Sequence, residues 1–191
     1  MIIGIDIDNT ISDTHEMIAA YAQRYGAEEN RPLYLDRSRY FLSEYLGWPE
    51  DVVEAFRQRC LLDIYREVEV KPGAIQVLRS WQGAGHRIIL ITGRNSEFPG
   101  METVTRDWLE RHGIPYERLI MNDTPHMHHF SKNVTAREAG IELMVEDHPD
   151  LCLELAAFIP VLMFDQPYNR HISAPAITRV FNWEQIGAAL G

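Results

Sequence analysis

Met1-Ile2-Ile3-Gly4-Ile5-Asp6-Ile7-Asp8-Asn9-Thr10 opens the chain with an isoleucine-rich run that ends in two acids. Its length and β-branched content predict a buried strand over 2–7. An acid stands within the first six residues and no basic segment precedes it, so a strand is expected here in place of a signal peptide. Four further strand patterns follow, at Arg87–Ile91, Arg118–Met121, Glu142–Val145 and Ile159–Phe164. Helical patterns alternate with them at Gly73–Gln82, Met101–His112, Lys132–Ala139, Pro149–Ala157 and Trp183–Leu190, and Gly83, Gly113 and Gly140 stand at stop positions. This alternation predicts an α/β fold in which a five-stranded parallel sheet is flanked by helices, with right-handed crossovers.

One connection breaks the rhythm. A crossover between parallel strands needs roughly 30 residues, and the path from Thr10 to Arg87 is more than twice that. An insertion over 13–70 is expected, leaving 1–12 and 71–191 as the core. Asp13 and Glu16 predict a capping box, with Met17, Tyr21 and Tyr25 on one face of the helix it starts. Pro49 predicts the start of a second helix carrying Val53, Phe56, Cys60 and Ile64. Between them lie Tyr34, Tyr40, Phe41, Tyr45 and Trp48, and Lys71-Pro72-Gly73 closes the insertion.

The 191 residues are 46% hydrophobic and 24% charged, which excludes a disordered or collagenous chain. Eighteen basic against 28 acidic residues give a net charge of −10 with no basic block. No footprint for a nucleic-acid polymer or an anionic membrane is present. The longest apolar run, Ala156–Phe164, falls well short of a bilayer span; a cytoplasmic protein is expected. Cys60 and Cys152 lack CxxC spacing and read as small core residues. The basic set is 16 Arg and two Lys, so Lys71 and Lys132 invite a chemical question.

Four groups carry that chemistry. Asp6 and Asp8, two apart at the carboxyl end of the first strand, project to one side, at the sheet edge where ligands bind. Carboxylates so close repel unless one is protonated or a cation lies between them, which suggests Mg²⁺; alone, the pair also reads as an acidic turn. Thr92-Gly93-Arg94 follows the second predicted strand and offers a hydroxyl, a flexible backbone and a guanidinium to a phosphate. Lys132 starts a helix, where a cation is unfavourable without an anionic partner. Glu146-Asp147-His148-Pro149-Asp150 follows the fourth predicted strand and, taken alone, reads equally as a helix cap.

All four lie at the carboxyl ends of strands in one parallel sheet. In that order and context the chain resembles the haloacid dehalogenase superfamily of phosphotransferases over essentially its whole length: Asp6-Ile7-Asp8-Asn9-Thr10 matches the DxDx(T/V) motif, Thr92 the second motif, Lys132 the third and Glu146-Asp147 the fourth. Asn9 replaces the more usual Gly, and Asn tolerates a left-handed backbone. The resemblance implies a Rossmann-like core with a helical cap inserted after the first strand. It also implies an aspartyl-phosphate on Asp6, Asp8 as general acid and base, phosphate binding by Thr92, Gly93, Arg94 and Lys132, and Mg²⁺ held by Asp6, Asp8 through its carbonyl, and Asp147, with Glu146 in the outer shell. The stretch Glu146-Asp147-His148-Pro149-Asp150, the helical cap and the later segment Phe164-Asp165-Gln166-Pro167-Tyr168-Asn169 look most like the 5′(3′)-deoxyribonucleotidase branch, cytosolic type C. A small phosphorylated substrate, above all a nucleoside monophosphate, is therefore expected, with Tyr21, Tyr40, Phe41, Tyr45 and Trp48 as candidates to meet its base. Sugar phosphates are the rival substrate class. A non-catalytic binding module is disfavoured because Asp6, Asp8 and Lys132 are all present. The cluster His126-Met127-His128-His129 lacks the carboxylate or Cys that would complete a metal site and reads as a polar loop.

Overall fold

The structure, a computed structural model, describes residues 1–124 and 130–190, so the histidine cluster at 126–129 lies outside the described residues. Six strands form one parallel sheet: β1 (Ile2–Ile5), β2 (Arg87–Asn95), β3 (Arg118–Asn122), β4 (Leu143–Glu146), β5 (Val161–Phe164) and β6 (Ile177–Val180), in the order β3-β2-β1-β4-β5-β6. The expected α/β architecture is present, with six strands in place of five. The additional edge strand, Ile177-Thr178-Arg179-Val180, is short and interrupted by a charge. Arg179 turns back to donate to Asp165 Oδ1 and to the Ile172 carbonyl, each at 2.8 Å, so its charge serves the loop after β5.

β1 is central because its side chains alternate between two packed faces. Ile3, Ile5 and Ile7 are fully buried in one cluster with Leu78, Trp81, Trp108, Trp183 and Ile186, residues of or beside α4 (Ala74–Gly83), α5 (Met101–His112) and α8 (Trp183–Ala188). The other face buries Ile89, Ile91, Met144 and Met163 against Ala136, Cys152 and Leu155, contributed by α6 (Lys132–Glu138) and α7 (Pro149–Ala156). Gly4 is required on that face: a Cβ there would stand 2.7 Å from Met144 Sδ and 3.0 Å from Ile141 Cγ2. β2 pairs on one side of β1 and β4 on the other. The chain therefore reverses its winding at β1, and such a switch point opens a crevice at the strand ends.

Between β1 and β2 lie α1 (Thr14–Glu28), α2 (Leu42–Leu46) and α3 (Glu50–Glu67). They enclose a core of their own that includes Ile18, Ala22, Tyr25, Tyr45, Trp48, Val53, Phe56 and Ile64. The expected face of α3 is buried, and Pro49 precedes its first residue. The expected capping box on α1 is not formed. Asp13 makes no side-chain cap bond and pairs with Lys71, while Glu16 pairs with Arg37; each carboxylate meets a full cationic charge there in place of a backbone N–H. The two chain crossings at 10–13 and 68–71 run side by side. Ser12 bridges Val70, Asp13 N–H donates to the Glu69 carbonyl at 3.1 Å, and Lys71 N–H donates to that of Ile11 at 2.8 Å. Indole N–H groups close both ends, Trp183 to the Thr10 carbonyl at 3.0 Å and Trp108 to that of Val68 at 2.7 Å.

Gly26, near the end of α1, tests this packing. A Cβ there would lie 2.9 Å from the Arg31 carbonyl oxygen and 3.3 Å from Trp48 Cζ2. Propensity alone favours Gly26→Ala by about 1 kcal/mol, while overpacking costs about 1–3 kcal/mol. We expect Gly26→Ala to lower the thermal midpoint; a raised Tm would show that the 26–31 turn yields.

Candidate active site

β1 ends just before Asp6, whose N–H donates to the Val145 carbonyl at 3.0 Å. Ile5 is level with Leu90 on one side and Val145 on the other, so Thr92 arrives beside Ile7 and Glu146 beside Asp6. The turn after Ile7 is made by Asn9 at φ 61°, the left-handed conformation that Asn accepts. The Asn9 side chain accepts the His15 N–H at 2.8 Å and so ties this turn to α1.

Three buried carboxylates, Asp6, Glu146 and Asp147, bring oxygen atoms within 4.8 Å of one another. Lys132 Nζ donates to Asp6 and, at 3.0 Å, to Glu146 Oε2. The other Glu146 oxygen accepts the N–H groups of Asp147 and His148, each at 3.1 Å. Glu146 is thereby fully engaged as a holder of Lys132 and of the turn into α7. Asp147 is oriented by Thr10 Oγ1 at 3.2 Å and by the Tyr168 hydroxyl. Asn169 donates to the Asp147 and Phe164 carbonyls, both at 2.8 Å.

One ammonium does not balance three carboxylates. Burial pushes the Asp6 carboxyl up, and the attraction of Lys132 does not overcome burial together with the neighbouring acids. Burial and Glu146 raise Asp147 to about 8. Lys132 is held above its ordinary value, because Asp6 and Glu146 outweigh its burial. An all-oxygen cluster with excess negative charge fits a hard divalent cation.

Asp8 belongs to a separate arrangement. Arg94 donates through Nη2 to Oδ1 at 2.8 Å and through Nε to Oδ2 at 3.0 Å, and Thr14 donates to Oδ1 at 2.7 Å. Burial alone would push the Asp8 carboxyl up, but Arg94 and Thr14 outweigh it and hold it below the usual aspartate value. Arg94 was expected at the phosphate; in the structure its guanidinium is paired with Asp8. The Thr92 hydroxyl is fully buried and accepts the Arg94 N–H at 3.2 Å, and the space about Gly93 is open.

Of the five aromatic candidates, Tyr40 packs on His148 and Tyr168 beside the carboxylate cluster. Its ring lies 4.2 Å from His148 and 5.4 Å from Tyr168, and burial together with Asp147, Asp6, Glu146 and Asp8 raises its hydroxyl well above the normal tyrosine value. The other four lie elsewhere. Tyr45 and Trp48 are buried in the core of α1–α3, where bulky apolar rings are needed, with Tyr45 stacked on His15 at 4.8 Å. Phe41 is exposed, and Tyr21 lies under Arg24 at 5.3 Å. Sequence reasoning missed Thr14 and Tyr65 as partners of the site. Tyr168 and Asn169 were within reach, in a segment singled out only by resemblance.

The family described as 5′ nucleotidase, deoxy (pyrimidine), cytosolic type C protein (NT5C) matches residues 1–190. A nucleotidase of Clostridium acetobutylicum is 27% identical over 188 residues, 96% of this chain and 90% of that protein. A candidate 5′(3′)-deoxyribonucleotidase of Chlorobaculum tepidum is 25% identical over 194 residues, 97% of this chain and 88% of that one. Among solved structures, a haloacid dehalogenase-like hydrolase of Streptococcus pneumoniae superposes with TM-score 0.72 at 13% identity, covering 99% of this chain and 97% of that one. A haloacid dehalogenase-superfamily hydrolase of Geobacter sulfurreducens gives 0.61 at 19% identity, covering 99% and 95%. No helix among the described residues is long and apolar enough to cross a membrane.

The uncompensated carboxylates generate a binding prediction. Mg²⁺ or Mn²⁺ at about 100 times its Kd is expected to stabilise the fold by about 2.7 kcal/mol, read as a rise in Tm. Asp147→Asn should lose most of that rise. A Tm indifferent to both cations would remove the metal assignment.

Proposed function

The chain belongs to the NT5C family and is a phosphoric monoester hydrolase of the haloacid dehalogenase-like superfamily; on that premise we propose that it hydrolyses nucleoside monophosphates through an aspartyl-phosphate on Asp6, with Mg²⁺. The observation that carries this reading is Lys132 Nζ held between Asp6 and Glu146 beside Asp147 at the switch point. An ammonium there neutralises the attacking carboxylate and the incoming phosphoryl oxygen together. A divalent cation held by Asp6, Asp147 and the Asp8 carbonyl would supply further charge neutralisation to the phosphoryl group.

In the first step an Asp6 oxygen forms a bond to phosphorus, the ester P–O bond breaks, and protonated Asp8 gives its proton to the departing alkoxide. In the second, Asp8 takes a proton from water as the water oxygen attacks phosphorus and the Asp6–phosphorus bond breaks. Asp8 ends protonated and Asp6 free, so the cycle closes on an alcohol and phosphate. Thr92 and the open backbone about Gly93 bind phosphoryl oxygens. Residues 13–70 act as a cap that shields these steps from bulk water, and Tyr40 meets the base.

Asp6→Asn removes a covalent step and should cost more than about 10³-fold in kcat. Thr92→Ala deletes one hydrogen bond, worth about 1.5–3 kcal/mol or about 10–200-fold. Near-normal turnover by Asp6→Asn, or failure of beryllium fluoride to bind wild type, would overturn the covalent route.

Substrate class has its own test. Stacking on one base is worth about 1–3 kcal/mol, so wild type should prefer nucleoside monophosphates to sugar phosphates by roughly 5–150-fold in kcat/KM. Tyr40→Ala should erase most of that preference, losing more on nucleotides than on 4-nitrophenyl phosphate. Equal or faster turnover of sugar phosphates would transfer the enzyme to that substrate class.

A further inference from the structure

We propose that Arg94 is a positioning residue for Asp8 and not a phosphate ligand: its two-pronged ion pair fixes the carboxylate so that Asp8 Oδ2 delivers the proton to the leaving oxygen. The proposal rests on the reading of Asp8 as general acid.

The guanidinium is committed on every side. Nε and Nη2 face Asp8, Nη1 lies 3.4 Å from Thr105 Oγ1, and the side chain has 0% exposure. Tyr65 of α3 covers it at 4.0 Å from the ring centroid, and Trp108 of α5 lies at 5.5 Å. Stacking and a bidentate fork together favour one orientation, and a lysine lacks the planar group that makes the fork. A phosphoryl group would have to strip Arg94 from Asp8 to bind it, leaving a buried carboxylate unpaired.

The two Asp8 oxygens are unequally loaded. Oδ1 accepts from Arg94 Nη2 at 2.8 Å and from Thr14 at 2.7 Å, with Arg94 Nε a longer 3.3 Å away. Among the described residues Oδ2 accepts from Arg94 Nε alone, at 3.0 Å. Oδ2 is thereby the oxygen left open to carry the proton that Asp8 takes from water in the hydrolytic step. That proton leaves Oδ2 for the ester oxygen as the P–O bond breaks and Asp6 bonds to phosphorus, and a water proton returns to Oδ2 in the hydrolytic step. Because Thr14 and Tyr65 belong to α1 and α3, the cap helices contribute directly to how this acid is aimed.

The test compares a leaving group that needs a proton with one that does not. We would measure kcat/KM, which reports phosphoryl transfer to Asp6, for a nucleoside 5′-monophosphate and for 4-nitrophenyl phosphate, and the inhibition constant of inorganic phosphate. General acid assistance is worth about 10²–10⁴-fold, so Arg94→Gln should lose at least about 30-fold more on the nucleotide than on the aryl ester. Its phosphate inhibition constant should stay within about 3-fold of wild type. Equal losses on both substrates, or a phosphate constant raised about 10-fold or more, would overturn the proposal. If Arg94→Gln does not fold, Arg94→Lys decides: it retains charge without the fork, and a leaving-group bias of about 5-fold or more supports the assignment, whereas equal loss rejects it. Asp8→Asn separates the two layers. Equal loss in Asp8→Asn would mean that Asp8 is not the acid; bias in Asp8→Asn without bias in the Arg94 variants would mean that Arg94 does not aim it.

Discussion

The ammonium of Lys132, buried between Asp6 and Glu146, is the interaction on which the site depends. Without it three carboxylates would converge in a low-dielectric crevice, and mutual repulsion would force protonation or separation. With it the cluster still carries excess negative charge, and burial together with the neighbouring acids leaves Asp6 and Asp147 raised. The imbalance is a requirement for cationic company, and the surrounding chain is arranged to keep it. Glu146 is locked by two backbone amides, and Asp147 by Thr10 and Tyr168. Neither acid can swing away to relieve the strain of charge.

The two aspartates of the first motif are treated differently by the same fold. Asp6 faces β4 and the lysine, whereas Asp8 faces β2 and an arginine. One ends up raised and the other lowered, although only Ile7 separates them. This divergence follows from β1 standing between β2 and β4. A strand at the edge of the sheet could not offer two chemically distinct neighbours to a pair of acids two residues apart.

Most of the sheet and the motif residues were legible because they are local signals: isoleucine runs, glycine stops and acids at strand ends. β6 was not, since Arg179 breaks its apolar pattern for a purpose visible only in the loop that it anchors. Arg94 was legible as a charged residue of the site but not in its direction, because Tyr65 and Thr14, which help to hold its environment, lie far away in sequence. The aromatic residues of the insertion show the same limit. Tyr40 and Tyr45 have similar composition around them, yet one packs on His148 beside the site and the other on His15 in the core of α1–α3. Pattern distinguishes large apolar from small, but which ring is enclosed depends on how α1–α3 close. The failed capping box is a matter of competition: Lys71 and Arg37, remote in sequence, offered Asp13 and Glu16 a charged partner.

The paired crossings at 10–13 and 68–71 have a consequence for how this chain can vary. Entry and exit are stitched together by backbone bonds, an ion pair and two indoles, so to the sheet the helices between them are a closed loop whose ends never move apart. Closure entropy grows only as the logarithm of loop length, about 0.6 kcal/mol for each doubling. The length and content of that loop are thus nearly decoupled from the stability of the sheet below it. Selection can lengthen, shorten or exchange what lies over the crevice while the strand ends keep their register, provided that each replacement brings its own partner for Asp8.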